Sequence, residues 1–129
     1  MDSENLVQQK IRILAGYCGA TLMRNNSGAA TDQTGRLIRY GLGNDSAQLN
    51  QVVKSSDLIG FTELTIQARH IGKKMAIFTA IEVKATGWQY RPADKRAVAQ
   101  RAFIDIINNA GGLAGFAQCE DDLKRILIC

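Results

Sequence analysis

Two stretches decide how this chain reads: Asp57-Leu58-Ile59-Gly60-Phe61-Thr62-Glu63-Leu64-Thr65-Ile66-Gln67 and Met75-Ala76-Ile77-Phe78-Thr79-Ala80-Ile81-Glu82-Val83-Lys84-Ala85. Leu58 to Gln67 and Met75 to Ala85 are rich in β-branched and aromatic residues, the composition of strands. Arg69-His70-Ile71-Gly72-Lys73-Lys74 lies between them and reads as the tip of a hairpin. In an antiparallel hairpin with that tip, position 57 stands opposite roughly positions 84 to 86. Glu82 and Lys84 are two residues apart, so both point to one face, while Ile81 and Val83 point to the other. Asp57, Glu82 and Lys84 are therefore expected at one end of the hairpin.

Outward from there, the flanks read as alternating helices and strands. Ser3 caps a first helix, with Glu4 in its first turn and Val7, Ile11, Leu14, Ala15 and Cys18 at helical spacing. It fades over Gly16 to Gly19, and a strand follows at Ala20 to Arg24. Asn25-Asn26-Ser27-Gly28 reads as a turn. The Gly-rich stretch Thr31 to Asn44 holds a short strand at Leu37 to Tyr40, and Gln48 to Lys54 forms a helical turn. Beyond the hairpin, Gly87 to Arg91 is a loop, and Pro92 takes the first position of a helix reaching Ala110. Gly111-Gly112 stops that helix, Leu113 to Gln118 is a buried strand, and Glu120-Asp121-Asp122 open a last helix reaching Leu127. The order α-β-(β)-β-β-α-β-α predicts an α/β fold, a central mixed β-sheet flanked by helices, with residues 1–129 as one domain.

The bulk properties agree with a folded domain and narrow its partners only slightly. The chain has 129 residues, a formal net charge of +4 and a pI near 9.2, a balance that favours a polyanionic partner. Cys18, Cys119 and Cys129 have no metal-ligand spacing and read as free thiols of a reducing cytosol, which makes a cytoplasmic location the expectation. The N-terminus, Met1-Asp2-Ser3-Glu4, does not read as a signal peptide, and the last four residues, Ile-Leu-Ile-Cys, do not read as a lipidation box. No apolar run is long enough for a bilayer, so no membrane partner is expected.

Charges inside a β-rich run carry the chemistry. A charge at a sheet centre is costly unless it is paired or bound to a metal. Two carboxylates repel, and a divalent cation relieves that repulsion. Mg²⁺ takes one or two carboxylates and keeps several waters. The same residues also read more plainly, as a solvated Glu82–Lys84 pair on an exposed sheet face with Asp57 in a turn.

Ser56-Asp57-Leu58-Ile59-Gly60 followed by Ile81-Glu82-Val83-Lys84 resembles the D…(D/E)-x-K signature of the restriction-endonuclease-like nucleases. Three further segments make the resemblance narrower. Arg24-Asn25-Asn26-Ser27-Gly28 is similar to an R-N-x-x-G segment after a first helix. Gln100-Arg101-Ala102-Phe103 is similar to a Q-x-x-F on the helix after the E-x-K strand, and Asn109-Ala110-Gly111-Gly112-Leu113-Ala114 to a G-G-x-A entry into the last strand. Together, in this order and over nearly the whole chain, they resemble the VRR-NUC domain, the virus-type replication-repair nuclease. In place of the glycine that family often has before its Ser-Asp, this chain has Val53-Lys54-Ser55.

The resemblance implies a restriction-endonuclease-like core and metal-dependent hydrolysis of DNA phosphodiesters, with branched DNA such as Holliday junctions as substrate. It implies Asp57, Glu82 and the Val83 carbonyl as ligands of Mg²⁺, for which Mn²⁺ can substitute. Lys84 would position water or stabilise developing charge, and Gln100 would orient Lys84 or a phosphate. Glu4 joins the metal site in this reading, or serves only the helix N-terminus. Arg24, Asn25, Lys73, Lys74, Arg91, Lys95, Arg96 and Arg101 are the expected nucleic-acid contacts. Trp88 and Tyr90 either stack on an unpaired base or pack against the sheet. The two cuts needed by a four-way junction suggest a homodimer. A phage or prophage origin, in a bacterial host cell, is implied by the resemblance alone. The rival expectation is a DNA-binding module of the same fold without catalysis.

Overall fold

A computed structural model describes residues 2–127. The readings made of Met1, Ile128 and Cys129 lie outside the described residues. The chain forms two compact units, meeting in sequence at Leu64/Thr65. The elements are a mixture of helices and short strands, and no helix among the described residues is long and apolar enough to cross a membrane.

The first unit begins with α1 (Glu4–Tyr17), capped as expected by Ser3, whose hydroxyl accepts from the Leu6 N–H. Strand β1 (Ala20–Arg24) follows at once, then β2 (Gly28–Thr31), β3 (Leu37–Tyr40), α2 (Ala47–Val52) and β4 (Leu58–Thr62). β1 and β4 pair antiparallel from Ala20↔Thr62 to Arg24↔Leu58. Gly60 is needed in that ladder, because a Cβ there would stand 1.8 Å from the Thr21 carbonyl oxygen. β2 and β3 form a second antiparallel pair. β2 was not expected from the sequence. Its turn is closed by Asp32, which accepts from the Thr34 N–H and hydroxyl and from the Arg36 N–H, with Gly35 left-handed at φ 82°. A turn of that kind joins two strands tightly.

The second unit contains a short 3-10 turn (Ala68–His70), β5 (Thr79–Val83), α3 (Lys95–Asn109), β6 (Leu113–Ala117) and α4 (Glu120–Leu127). β5 and β6 are parallel neighbours, Thr79↔Leu113 through Val83↔Ala117, joined by α3 in a βαβ unit. Ala97, Ile104 and Ile107 of α3 and Ala114 and Ala117 of β6 are the buried apolar residues, with Ala117 on the opposite face of β6 from Ala114, the face where Gly115 meets Ile126 of α4. Gly112 lets α3 and β6 approach, since a Cβ there would meet Ile107 Cγ2 at 2.6 Å and the Phe78 carbonyl at 2.8 Å. The Asn108 amide spans the same junction, bonding both the N–H and the carbonyl of Ala114.

Two expectations need correction. Residues 58–67 and 75–85 are not the arms of a hairpin. β4 stops at Thr62 with β1 as its partner and β5 starts at Thr79 with β6 as its partner, so residues 63–67 and 75–78 lie outside the strands. A strand needs a ladder partner as well as a β-prone composition. β1 begins only at Ala20, and the last bond alongside β4 runs from Glu63 N–H to the Gly19 carbonyl. His70 then closes a local turn, its Nδ1 accepting from the Gln67 N–H while its own N–H donates to the Gln67 carbonyl. The register that set Asp57 opposite residues 84–86 is withdrawn with the hairpin. Within the units the described strands pair two by two: β1 with β4 and β2 with β3 in the first, β5 with β6 in the second. A smaller correction concerns α3, which starts at Lys95 and not at Pro92. The Asp94 carboxylate caps it by accepting from the Ala97 N–H, and a side-chain cap sets a helix start more firmly than proline does.

Candidate active site

Glu82 is the penultimate residue of β5 and Lys84 follows the strand, so both leave the sheet on the face covered by α3. Gln100, in the middle of α3, lies between them. Its Nε2 donates to Glu82 Oε1 at 2.7 Å, and its Oε1 accepts from Lys84 Nζ at 2.8 Å. The direct Lys84–Glu82 distance is 3.8 Å, so the amide is the shorter bridge between the charges. An amide held by a cation on one side and an anion on the other cannot flip without losing both bonds. The Lys84 side chain is 16% exposed and that of Glu82 36%, so the lysine end is the less screened.

Aromatic rings surround the lysine. Lys84 Nζ stands 5.0 Å from the Trp88 ring centroid and 5.8 Å from that of Phe116. Both distances lie within cation–π range, where each contact is worth about 1 kcal/mol. Trp88 packs on Phe116 at 4.8 Å and meets Tyr90 edge-on at 6.4 Å, and Arg101 lies 4.9 Å over the Tyr90 ring. Trp88 and Tyr90 both pack on Phe116 of β6. Phe116 pairs with Glu82 in the β5–β6 ladder, which puts it on the site face.

A cavity of about 390 Å³ opens beside this cluster between β5 and α3. Glu82, Gln100 and Arg96 supply its polar wall, with Ala80, Phe103 and Ile104 among its apolar lining. Arg96 and Gln100 are one helical turn apart, so the helix presents both to the same space.

Among the described residues no three His, Cys, Asp or Glu side chains gather into a metal cage. Mg²⁺ does not require one, since it is held by one or two carboxylates and keeps its remaining waters. Glu82 fits that role. Its Oε1 is oriented by Gln100, while Oε2 has no hydrogen-bond partner among the described residues. Val83 ends β5 opposite Ala117.

The remaining expected residues fall as follows. In the first unit, Asp57 is exposed at the mouth of β4, and its carbonyl accepts from the Asn25 N–H at 2.8 Å. The Asn25 side chain makes three hydrogen bonds inside the unit. Its amide nitrogen donates to Ser55 Oγ and to the Ser56 carbonyl, and its oxygen accepts from the Leu42 N–H. Arg24 is exposed at the end of β1. Glu4 is exposed in the first turn of α1, the helix end remote from the α1–β1 turn. In the second unit, Lys73 and Lys74 are exposed in the loop after the 3-10 turn, Arg91 precedes α3, and Lys95 opens it. Of the expected contacts, only Arg96 joins Glu82 and Gln100 in lining the cavity.

Phe116 and Gln118 were missed from the sequence. Gln118 accepts from the Gly87 N–H and donates to the Trp88 carbonyl, holding the loop that carries the indole. The available signal was the alternation Ala114, Phe116, Gln118. It becomes informative only once β6 is known to lie beside β5.

Comparison with known protein families, curated proteins and solved structures finds no match to this chain.

Proposed function

We propose that this chain is a metal-dependent nuclease that hydrolyses DNA phosphodiesters at the Glu82–Gln100–Lys84 cluster. One observation carries the reading: the Gln100 amide fixes an acidic and a basic side chain on either side of itself, beside an open cavity that also contains Arg96. A solvated surface pair would have no need of such a bridge.

In this reading Glu82 supplies a carboxylate oxygen to Mg²⁺, or to Mn²⁺ in its place. When bound, that ion would polarise a water and neutralise charge on the scissile phosphate. Lys84 keeps donors beyond the one used by Gln100, and these stabilise the negative charge that builds on phosphoryl oxygen. Arg96 binds phosphate from the cavity wall, and the exposed basic residues nearby bind backbone without reading sequence. Asp57 as a second ligand, with the Val83 carbonyl and Glu4, rests on the sequence pattern alone. So do branched DNA as the preferred substrate and a homodimer as the working form.

The test is cleavage of labelled duplex, flap and four-way-junction DNA with Mg²⁺, Mn²⁺ or EDTA, using wild type, Glu82→Ala and Asp57→Asn. Metal-dependent cutting that Glu82→Ala abolishes is the expected result, and paired nicks on the junction would extend it to resolution by a dimer. Loss with Glu82→Ala but not with Asp57→Asn would keep the cluster and remove Asp57 from it. Binding without cutting would replace the nuclease by a non-catalytic DNA-binding module.

A further inference from the structure

The loop between β5 and α3 is built to hold one ring in one place. Ala85 to Trp88 is a β-turn, with the Trp88 N–H donating to the Ala85 carbonyl at 3.1 Å and Gly87 left-handed at φ 86°. The turn is tied to β6 through one side chain. Gln118 Oε1 accepts from the Gly87 N–H at 2.9 Å and Gln118 Nε2 donates to the Trp88 carbonyl at 2.8 Å. Gln118 is itself anchored, since its N–H donates to Asp122 Oδ2 at 2.9 Å. The chain of contacts thus runs from the start of α4, through Gln118, to the indole that faces the Lys84 ammonium.

We propose that Gln118 is a positioning residue for Lys84: by locking the Ala85–Trp88 turn it sets Trp88, backed by Phe116, as the shelf that keeps the ammonium aimed at Gln100. Its catalytic consequence rests on the nuclease reading, whereas its structural content does not. Without the lock, the turn keeps only its internal bond, the indole leaves Phe116, and Lys84 gains rotamers that point away from Gln100. A flexible ammonium is then less often in place when charge develops.

Trp88 is the sole tryptophan of the chain, so its fluorescence reports the shelf without any substrate. In the full chain, Gln118→Met keeps the side-chain length and removes both hydrogen bonds. The expected result is a shift of Trp88 emission to longer wavelength with stronger acrylamide quenching, while far-ultraviolet circular dichroism is unchanged. Lys84→Met should also change the emission, and the double variant should show less than the sum of the two changes, because both act on one contact. Against the best-cleaved DNA, Gln118→Met should lower kcat by about tenfold, the scale of a group that orients a catalytic one, with KM held. Trp88→Phe, which keeps a ring on Phe116, should retain most of the rate that Trp88→Leu loses. Unchanged emission in a folded Gln118→Met, strictly additive fluorescence changes, or equal losses in Trp88→Phe and Trp88→Leu would each overturn the proposal. If wild type cuts no DNA, the nuclease reading fails, and the fluorescence cycle still decides the positioning role.

Discussion

The mouth of β4 and the end of β5 each present an acidic residue, and they hold it in opposite ways. At Asp57 the order lies in the backbone. The Asn25 side-chain amide bonds Ser55, Ser56 and Leu42, and the Asn25 backbone N–H grips the Asp57 carbonyl, while the Asp57 side chain is left exposed. At Glu82 the order lies in the side chains, with Gln100 between the carboxylate and Lys84 and a wall of aromatic rings behind the lysine. A backbone clamp fixes where a residue is and leaves its carboxylate free to turn. A side-chain network fixes the reactive atoms themselves, which is what preorganised catalysis needs.

The contrast predicts different losses. The largest is expected at Lys84. Lys84→Met should cost about 10²- to 10³-fold in the cleavage rate, as for removal of one charge-stabilising donor, with little change in melting temperature. Gln100→Leu should cost about 10- to 100-fold, because it misorients two groups that remain present. A large fall in stability with either variant would mean that the cluster is structural, and the contrast would break.

Asn25→Ala should show the reverse. It leaves the Leu42 N–H and the Ser56 carbonyl without their partner and should destabilise the fold by about 1–3 kcal/mol in chemical denaturation. Any effect on cleavage should follow from that loss and be restored at lower temperature. A folded Asn25→Ala with unchanged stability but weakened DNA binding would return Asn25 to the substrate contacts expected from the sequence.

The smallest effect belongs to acid. Asp32, in the first unit, is held below the ordinary carboxylate value by the Thr34 hydroxyl and then the Arg36 N–H. Asp122, in the second, is held below it chiefly by the Gln118 N–H. A carboxylate lowered in the folded state stabilises it fully above its ordinary pKa of 3.8, and that contribution is lost as pH falls through the lowered value. Asp32→Ala and Asp122→Ala should therefore lower the melting temperature slightly at neutral pH and flatten its decline in acid. Only Asp122→Ala should also move Trp88 emission, since only that carboxylate anchors Gln118.

The parts legible in the sequence were those written over short distances. Ser3 as a cap, the end of α3 before Gly111, the strand at 113–117 and the acidic start of α4 all follow from residues within a turn or two of one another. Glu82 and Lys84 on one face follow from the two-residue period of a strand. β2 was passed over because Gly28-Ala29-Ala30-Thr31 has weak strand propensity, and the Asp32 turn that pairs it with β3 acts through hydrogen bonds rather than composition.

By itself, then, the sequence determined a mixed α/β chain with an acidic and a basic residue two apart on one face at the end of a β-rich run. The tertiary structure decided their partners. It gave β4 to β1 and β5 to β6, brought Gln100 between Glu82 and Lys84, and put Phe116 and the Gln118-held Trp88 beside the lysine. The reason is that periodicity tells which way a side chain points and leaves open which element it will face. A strand edge offers the same N–H and carbonyl groups to every partner, so pairing is settled by loop closure and by close packing at places such as Gly60 and Gly112.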